Sequence, residues 1–172
     1  MVETLDRISP FDWAAFFEEK LRDTPTDAPL DGLTRGGYRL VYGEEQSEYQ
    51  ENKETVLGTT NFLFSVGLML SSDGAISEVL WESPAFRAGL TSGGRILGVN
   101  GRVYSATELK RAISDAKEGR PIELIVTVGK RQREVRIDYA EGHQYPHLAP
   151  IEGARPRLDE ILRPVLKGRY AR

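Results

Sequence analysis

The sequence predicts a mixed α+β fold, mainly β. It has a partly open barrel of about five to six short strands, a one-turn helix, a longer helix, and helical extensions at both ends. Three observations predict it. Between residues 62 and 139, short apolar runs alternate with turn signals. The stretch "ESPAFRAGL", residues 82–90, opens a helix with Ser83-Pro84 and stops it with Gly89. Ser105 and Glu108 stand at capping-box spacing before the longer helix.

Each element has its own signal. Ser9-Pro10 reads as the opening of an N-terminal helix, with Trp13, Phe16, Phe17 and Leu21 as one apolar stripe, expected to be a buried face. Residues 24–29 end it with two prolines. Residues 38–42 read as a strand. Residues 43–55 carry five glutamates and weak periodicity, and read as an exposed linker or long loop. A boundary is placed near residue 56. Strands follow at 66–70, 75–81 and 95–99, with a turn at Ser72-Asp73-Gly74 and a tight one at Asn100-Gly101. In the short helix between them, Phe86 and Leu90 are expected to turn inward. The longer helix has Leu109, Ala112, Ile113 and Ala116 on one stripe and stops at Gly119. Residues 122–128 and 133–139 form a hairpin, whose second arm alternates Val135, Ile137 and Tyr139 with charged residues. The tail holds a helix from Pro156, with Leu158, Ile161, Leu162 and Val165 on its apolar side.

Composition narrows the functions. Hydrophobic residues make up 40% of the 172, enough for a core. A net charge of −3 gives no basic field for nucleic acid. Cysteine is absent, so there is no disulfide framework and no thiolate metal site. The longest apolar run, residues 62–70, is too short to span a bilayer. The start, Met1-Val2-Glu3, lacks the pattern of a signal peptide and reads as a segment of something longer. His143 and His147 are four residues apart, but Pro146 lies between them and no glutamate sits inside the spacing, so neither is read as a metal ligand. There is no G-x-S-x-G elbow and no phosphate loop. The chain is expected to be non-catalytic and to hold no cofactor.

The order "SPAFRAGL", then "RILGVNG", then a capped helix and a hairpin resembles a PDZ domain over residues 62–139. Arg95 departs from the pattern, which usually has aspartate there. The segments "PFDWAAFFEEKL", "APLDGLTRGGYRLVY", "DGAISEVLWESPAFRAGL", "VNGRVYS", "DYAEGHQYPHL" and "RLDEIL" resemble the C-terminal region of the glycyl aminopeptidase family, zinc metallopeptidases of the gluzincin kind. That resemblance implies residues 1–55 as the end of a peptidase region, 56–140 as the PDZ domain and 141–172 as a tail. It implies zinc in a catalytic domain absent from this chain, a bacterial parent and a periplasmic or secreted location. The residues themselves are equally compatible with cytoplasm. Two other readings stay open: an independent PDZ adaptor, and the PDZ module of a periplasmic serine protease.

The resemblance also implies a groove for peptide or protein C-termini, beside a partnership with the parent catalytic domain; a homo-oligomer is compatible with both. Ser65, Val66, Gly67 and Leu68 stand where the carboxylate-binding loop lies, Leu68 and Leu70 would face the groove, and Leu109 and Ile113 would line it from the helix. Against strong capture, no Arg or Lys neighbours the loop, and Phe62-Leu63-Phe64 is apolar enough to lie across the groove.

Overall fold

The computed structural model describes residues 1–22 and 29–164. In chain order the first elements are α1 (Val2–Ile8), α2 (Trp13–Arg22), α3 (Asp31–Arg35), β1 (Tyr38–Gly43) and α4 (Glu48–Leu57). Then come β2 (Thr59–Phe62), β3 (Leu68–Ser71), β4 (Ile76–Val79), α5 (Pro84–Arg87), β5 (Arg95–Val99) and β6 (Arg102–Val103). The last are α6 (Ala106–Asp115), extended by a 3-10 turn, β7 (Ile122–Val128), β8 (Arg131–Ile137), β9 (Tyr145–Pro150) and α7 (Arg157–Leu162). They fall into two compact units: Met1–Arg39 with Pro150–Arg172, and Leu40–Ala149.

The larger unit holds three open sheets rather than a closed barrel. Their strand orders are β1-β9, β2-β3-β4 and β6-β5-β7-β8. One apolar core joins the last two sheets to α6, with Leu68, Leu70, Ile96, Leu109, Ile113, Leu124 and Ile137 all sealed from solvent. Local chemistry accounts for the connections. Ser83 caps α5, its hydroxyl accepting from the Phe86 amide at 3.2 Å, and Gly89 ends the turn at φ +79°. Leu90 is buried as expected, whereas Phe86 is half-buried against the Trp81 ring. Asn100 and Gly101 both take positive φ, as a tight hairpin turn requires. Ser105 caps α6, accepting from the Glu108 amide at 3.1 Å. Arg95, the departure from the PDZ pattern, pairs with Asp73 and donates to its backbone carbonyl at 2.8 Å. It thereby ties the β3–β4 turn to β5.

Residues 43–55 are not an open linker. They contain the start of α4, capped by Ser47 at 3.3 Å from the Gln50 amide and ended by Gly58 at φ +61°. Its apolar residues Tyr49, Val56 and Leu57 are exposed and form no stripe, so periodicity could not reveal it. The spacing Ser47-x-x-Gln50 and the closing Gly58 were the available signal.

In the smaller unit, the N-terminal helix begins at Trp13, not at Pro10. Asp12 caps it, accepting from the Ala15 amide at 3.0 Å, while Ser9 closes α1. The aromatic stripe is not a fully buried face. Phe11, Trp13, Phe16 and Phe17 pack on one another at ring separations of 5.0 to 6.3 Å, and Leu21 is exposed. The expected stop at 24–29 lies outside the described residues apart from Pro29, and so does Val165. α7 forms from Arg157, with Ile161 and Leu162 exposed. The Leu158 amide donates to the Gly36 carbonyl at 3.1 Å, and the Tyr38 hydroxyl to Asp159 at 2.7 Å.

Candidate functional site

The structure brings the expected groove residues to one place in the larger unit. Residues 63–67 link β2 to β3, with Ser65 and Val66 buried and Gly67 at φ +85°. Positive φ at Gly67 keeps its amide pointing back into the loop. A side chain there is excluded, because a Cβ would fall 2.1 Å from the Ser83 Cβ. The one-turn helix α5 is thus part of the site. Its Ser83 abuts Gly67, and its Ala85 amide donates to the Val66 carbonyl at 2.9 Å.

The loop already has an occupant. The Ser65 amide at 3.1 Å and the Gly67 amide at 2.9 Å both donate to the Phe62 carbonyl. Phe62 ends β2, which pairs antiparallel with β3 in the register Thr60 to Leu70 and Phe62 to Leu68. Residues opposite one another share a face, so Thr60 and Phe62 cover Leu70 and Leu68. Phe62 is 1% exposed and belongs to the same core cluster as Val66, Leu109 and Ile113. The strand therefore runs beside β3 towards the amide loop, in the direction an added peptide would take.

From the sequence the groove could be open or crossed by Phe62-Leu63-Phe64; in the structure the β3 edge beside it is already paired. β4 pairs with one edge of β3 and β2 with the other. Val66, Leu68, Leu70, Leu109 and Ile113 are core residues with no open wall among them. The lack of a neighbouring cation also acquires a reason: a peptide carbonyl carries only partial charge, and two amides satisfy it.

Residues after β8 complete the cover. The Gln144 amide donates to the Ser65 hydroxyl at 3.1 Å. His143 stacks between Phe62, at 6.3 Å, and Tyr145, at 5.7 Å, while its Nε2 donates to the Lys110 carbonyl at 2.9 Å. The outward amide of β2, on Asn61, is held by the Glu54 carboxylate at 2.9 Å, which gives α4 a role at the site. Thr60, Phe62, Glu54 and His143 were not among the expected site residues. The apolar Phe62 to Phe64 run was the one sequence signal for this arrangement.

His143 and His147 serve different partners, since the His147 Nε2 bonds to the Glu45 carbonyl at 2.8 Å. Among the described residues no three metal-binding side chains converge, and no helix is long and apolar enough to cross a membrane. Burial pushes the His143 pKa below its usual 6.5. Folding then favours the neutral ring. Its contribution is complete above pH 6.5 and is lost as pH falls from there through the lower folded value. Denaturant melts should accordingly show stability declining as the pH falls below the usual histidine value of 6.5. His143→Gln should flatten that part of the profile; an unchanged slope would remove His143 as its source.

No family model matches the chain, and no curated protein matches it. A solved structure of an aminopeptidase N family protein from Idiomarina loihiensis aligns with 95% of the chain at 16% identity and a TM-score of 0.57. The chain spans 28% of that protein's length. At that identity the likeness shows the fold alone. The HtrA3 PDZ domain bound to a phage-derived ligand (FGRWV) aligns with 65% of the chain and 86% of that domain, at 21% identity and a TM-score of 0.31. The photosystem II D1 C-terminal processing protease aligns with 83% of the chain and 43% of its own length, at 19% identity and 0.32. Neither of these last two scores carries an argument. The architecture is a mixed α+β, PDZ-like fold.

Proposed function

We propose that this chain is the non-catalytic, PDZ-like region of a metallopeptidase resembling the glycyl aminopeptidases. It acts there as an interdomain module whose peptide lane is filled from within. The Phe62 carbonyl on the amides of Ser65 and Gly67 carries this reading. A receptor for peptide termini needs that lane empty, and here β2 lies in it. The parent assignment is supported by the quoted segments outside the PDZ-like part and by a fold likeness over 95% of the chain. In this reading the zinc, and the periplasmic or secreted location, belong to the parent enzyme. An adaptor would need an open β3 edge.

The purified chain should then leave glycyl substrates intact, with or without added zinc, and should take up no stoichiometric zinc. Turnover accompanied by tight one-to-one zinc would contradict the proposal.

A further inference from the structure

We infer that the larger unit carries a second, open docking site, for an extended peptide segment of another polypeptide that presents a lysine or arginine beside an apolar residue. The site is a depression of about 380 Å³ on the outer side of the amide loop. Such a volume lies at the small end of ligand pockets, about 300–1,000 Å³, and suits one or two side chains. Its walls come from β1, the amide loop, the β4–α5 connection and the segment after β8.

Two features define what fits. The first is apolar. Tyr42, Phe64, Leu80 and Trp81 all line the depression and are all exposed, Trp81 at 71%. The Tyr42 and Phe64 rings lie 5.8 Å apart, and Trp81 rests on Phe86 at 4.3 Å, so the aromatic faces are held in place. Isolated exposed apolar side chains need no explanation, but four around one depression mark a contact surface.

The second feature is charge. The charged residues lining the depression are Glu82 and Glu141, and no lysine or arginine joins them. Among the described residues neither carboxylate has an ion-pair partner. The nearby Arg87 guanidinium donates instead to the Glu82 backbone carbonyl. Glu82 also holds positive φ, +57°, where glycine would sit without strain. Unpaired carboxylates beside aromatic faces favour a cation, which a ring attracts through its quadrupole and a carboxylate through its charge. They disfavour phosphate-bearing partners such as nucleic acid or anionic lipid. An extended segment with a basic residue next to an apolar one answers both features. This site does not depend on the fate of the filled groove.

Trp81 supplies the readout. The chain has two tryptophans, so Trp13→Phe leaves Trp81 as the single emitter. The probes are capped tripeptides with leucine on both sides of lysine, arginine or norleucine. The lysine and arginine peptides should shift Trp81 emission saturably, and the shift should weaken with added salt. Glu82→Gln with Glu141→Gln should weaken binding about fivefold, the size of two exposed ion pairs, with the melting profile unchanged. No saturable shift with either basic peptide would overturn the proposal. So would norleucine binding as well as lysine, or equal binding by the double glutamine variant.

Discussion

Phe62→Ala should lower the stability of the larger unit by about 3–5 kcal/mol, the usual loss when a buried phenylalanine is truncated. Phe62 is 1% exposed, opposite Leu68 in the β2–β3 register and under the His143 ring. Truncation removes transfer energy and leaves a cavity that rigid neighbours on β3 and α6 cannot refill. Small domains are stable by only about 5–15 kcal/mol in total, so the variant should be near its limit. Phe62→Leu should recover most of the loss. Urea denaturation compares the three proteins. A loss below about 1 kcal/mol would mean that β2 can leave β3 at little cost, and that the groove is open for much of the time.

Gly67→Ala should cost a comparable amount for a different reason. A side chain at φ +85° carries about 1–2 kcal/mol of backbone strain. Its Cβ would also meet the Ser83 Cβ at 2.1 Å and the hydroxyl at 2.2 Å. Relieving that overlap must move α5 or the loop, at about 1–3 kcal/mol. Gly101→Ala is the matched control. It has φ +75° but open space around the added carbon, so it should show the backbone part alone. The difference between the two variants isolates the contact of α5 with the amide loop. Equal losses would show that Ser83 does not brace Gly67.

How much of this could be read from the sequence depended on range. Ser83-Pro84 with Gly89, Asn100-Gly101, and Ser105 with Glu108 act through neighbours within a few residues. Each of these signals produced the turn or cap expected. The stripe Leu109, Ala112, Ile113, Ala116 was equally legible, because a buried helix face repeats with the helical turn. The misses have the opposite character. β2 is four residues of mixed polarity, Thr59-Thr60-Asn61-Phe62, and only its pairing with β3 makes it a strand. Helix α4 has no apolar stripe and is held by its caps and by Glu54 reaching Asn61. The stripe on α2 was visible, but not that its rings would pack largely on each other. For the site, the loop and its walls were placed by resemblance to PDZ domains. What occupies them was signalled only by the apolar run Phe62-Leu63-Phe64, and the two backbone hydrogen bonds that seat the Phe62 carbonyl became visible only in the fold.

The central claim is that the peptide lane is filled by the chain itself, and amide hydrogen exchange at Gly67 tests it most directly. With no ligand present, the Gly67 amide is bonded to the Phe62 carbonyl at 2.9 Å inside the core hairpin. Its exchange should therefore be slowed nearly as much as that of the core strands. It should stay so when a free-acid peptide ending in Thr-Asn-Phe is added in excess. Exchange at the rate of an exposed amide, together with a Gly67 signal that moves for the free acid and not for its amide, would contradict the account and show an open receptor for peptide termini.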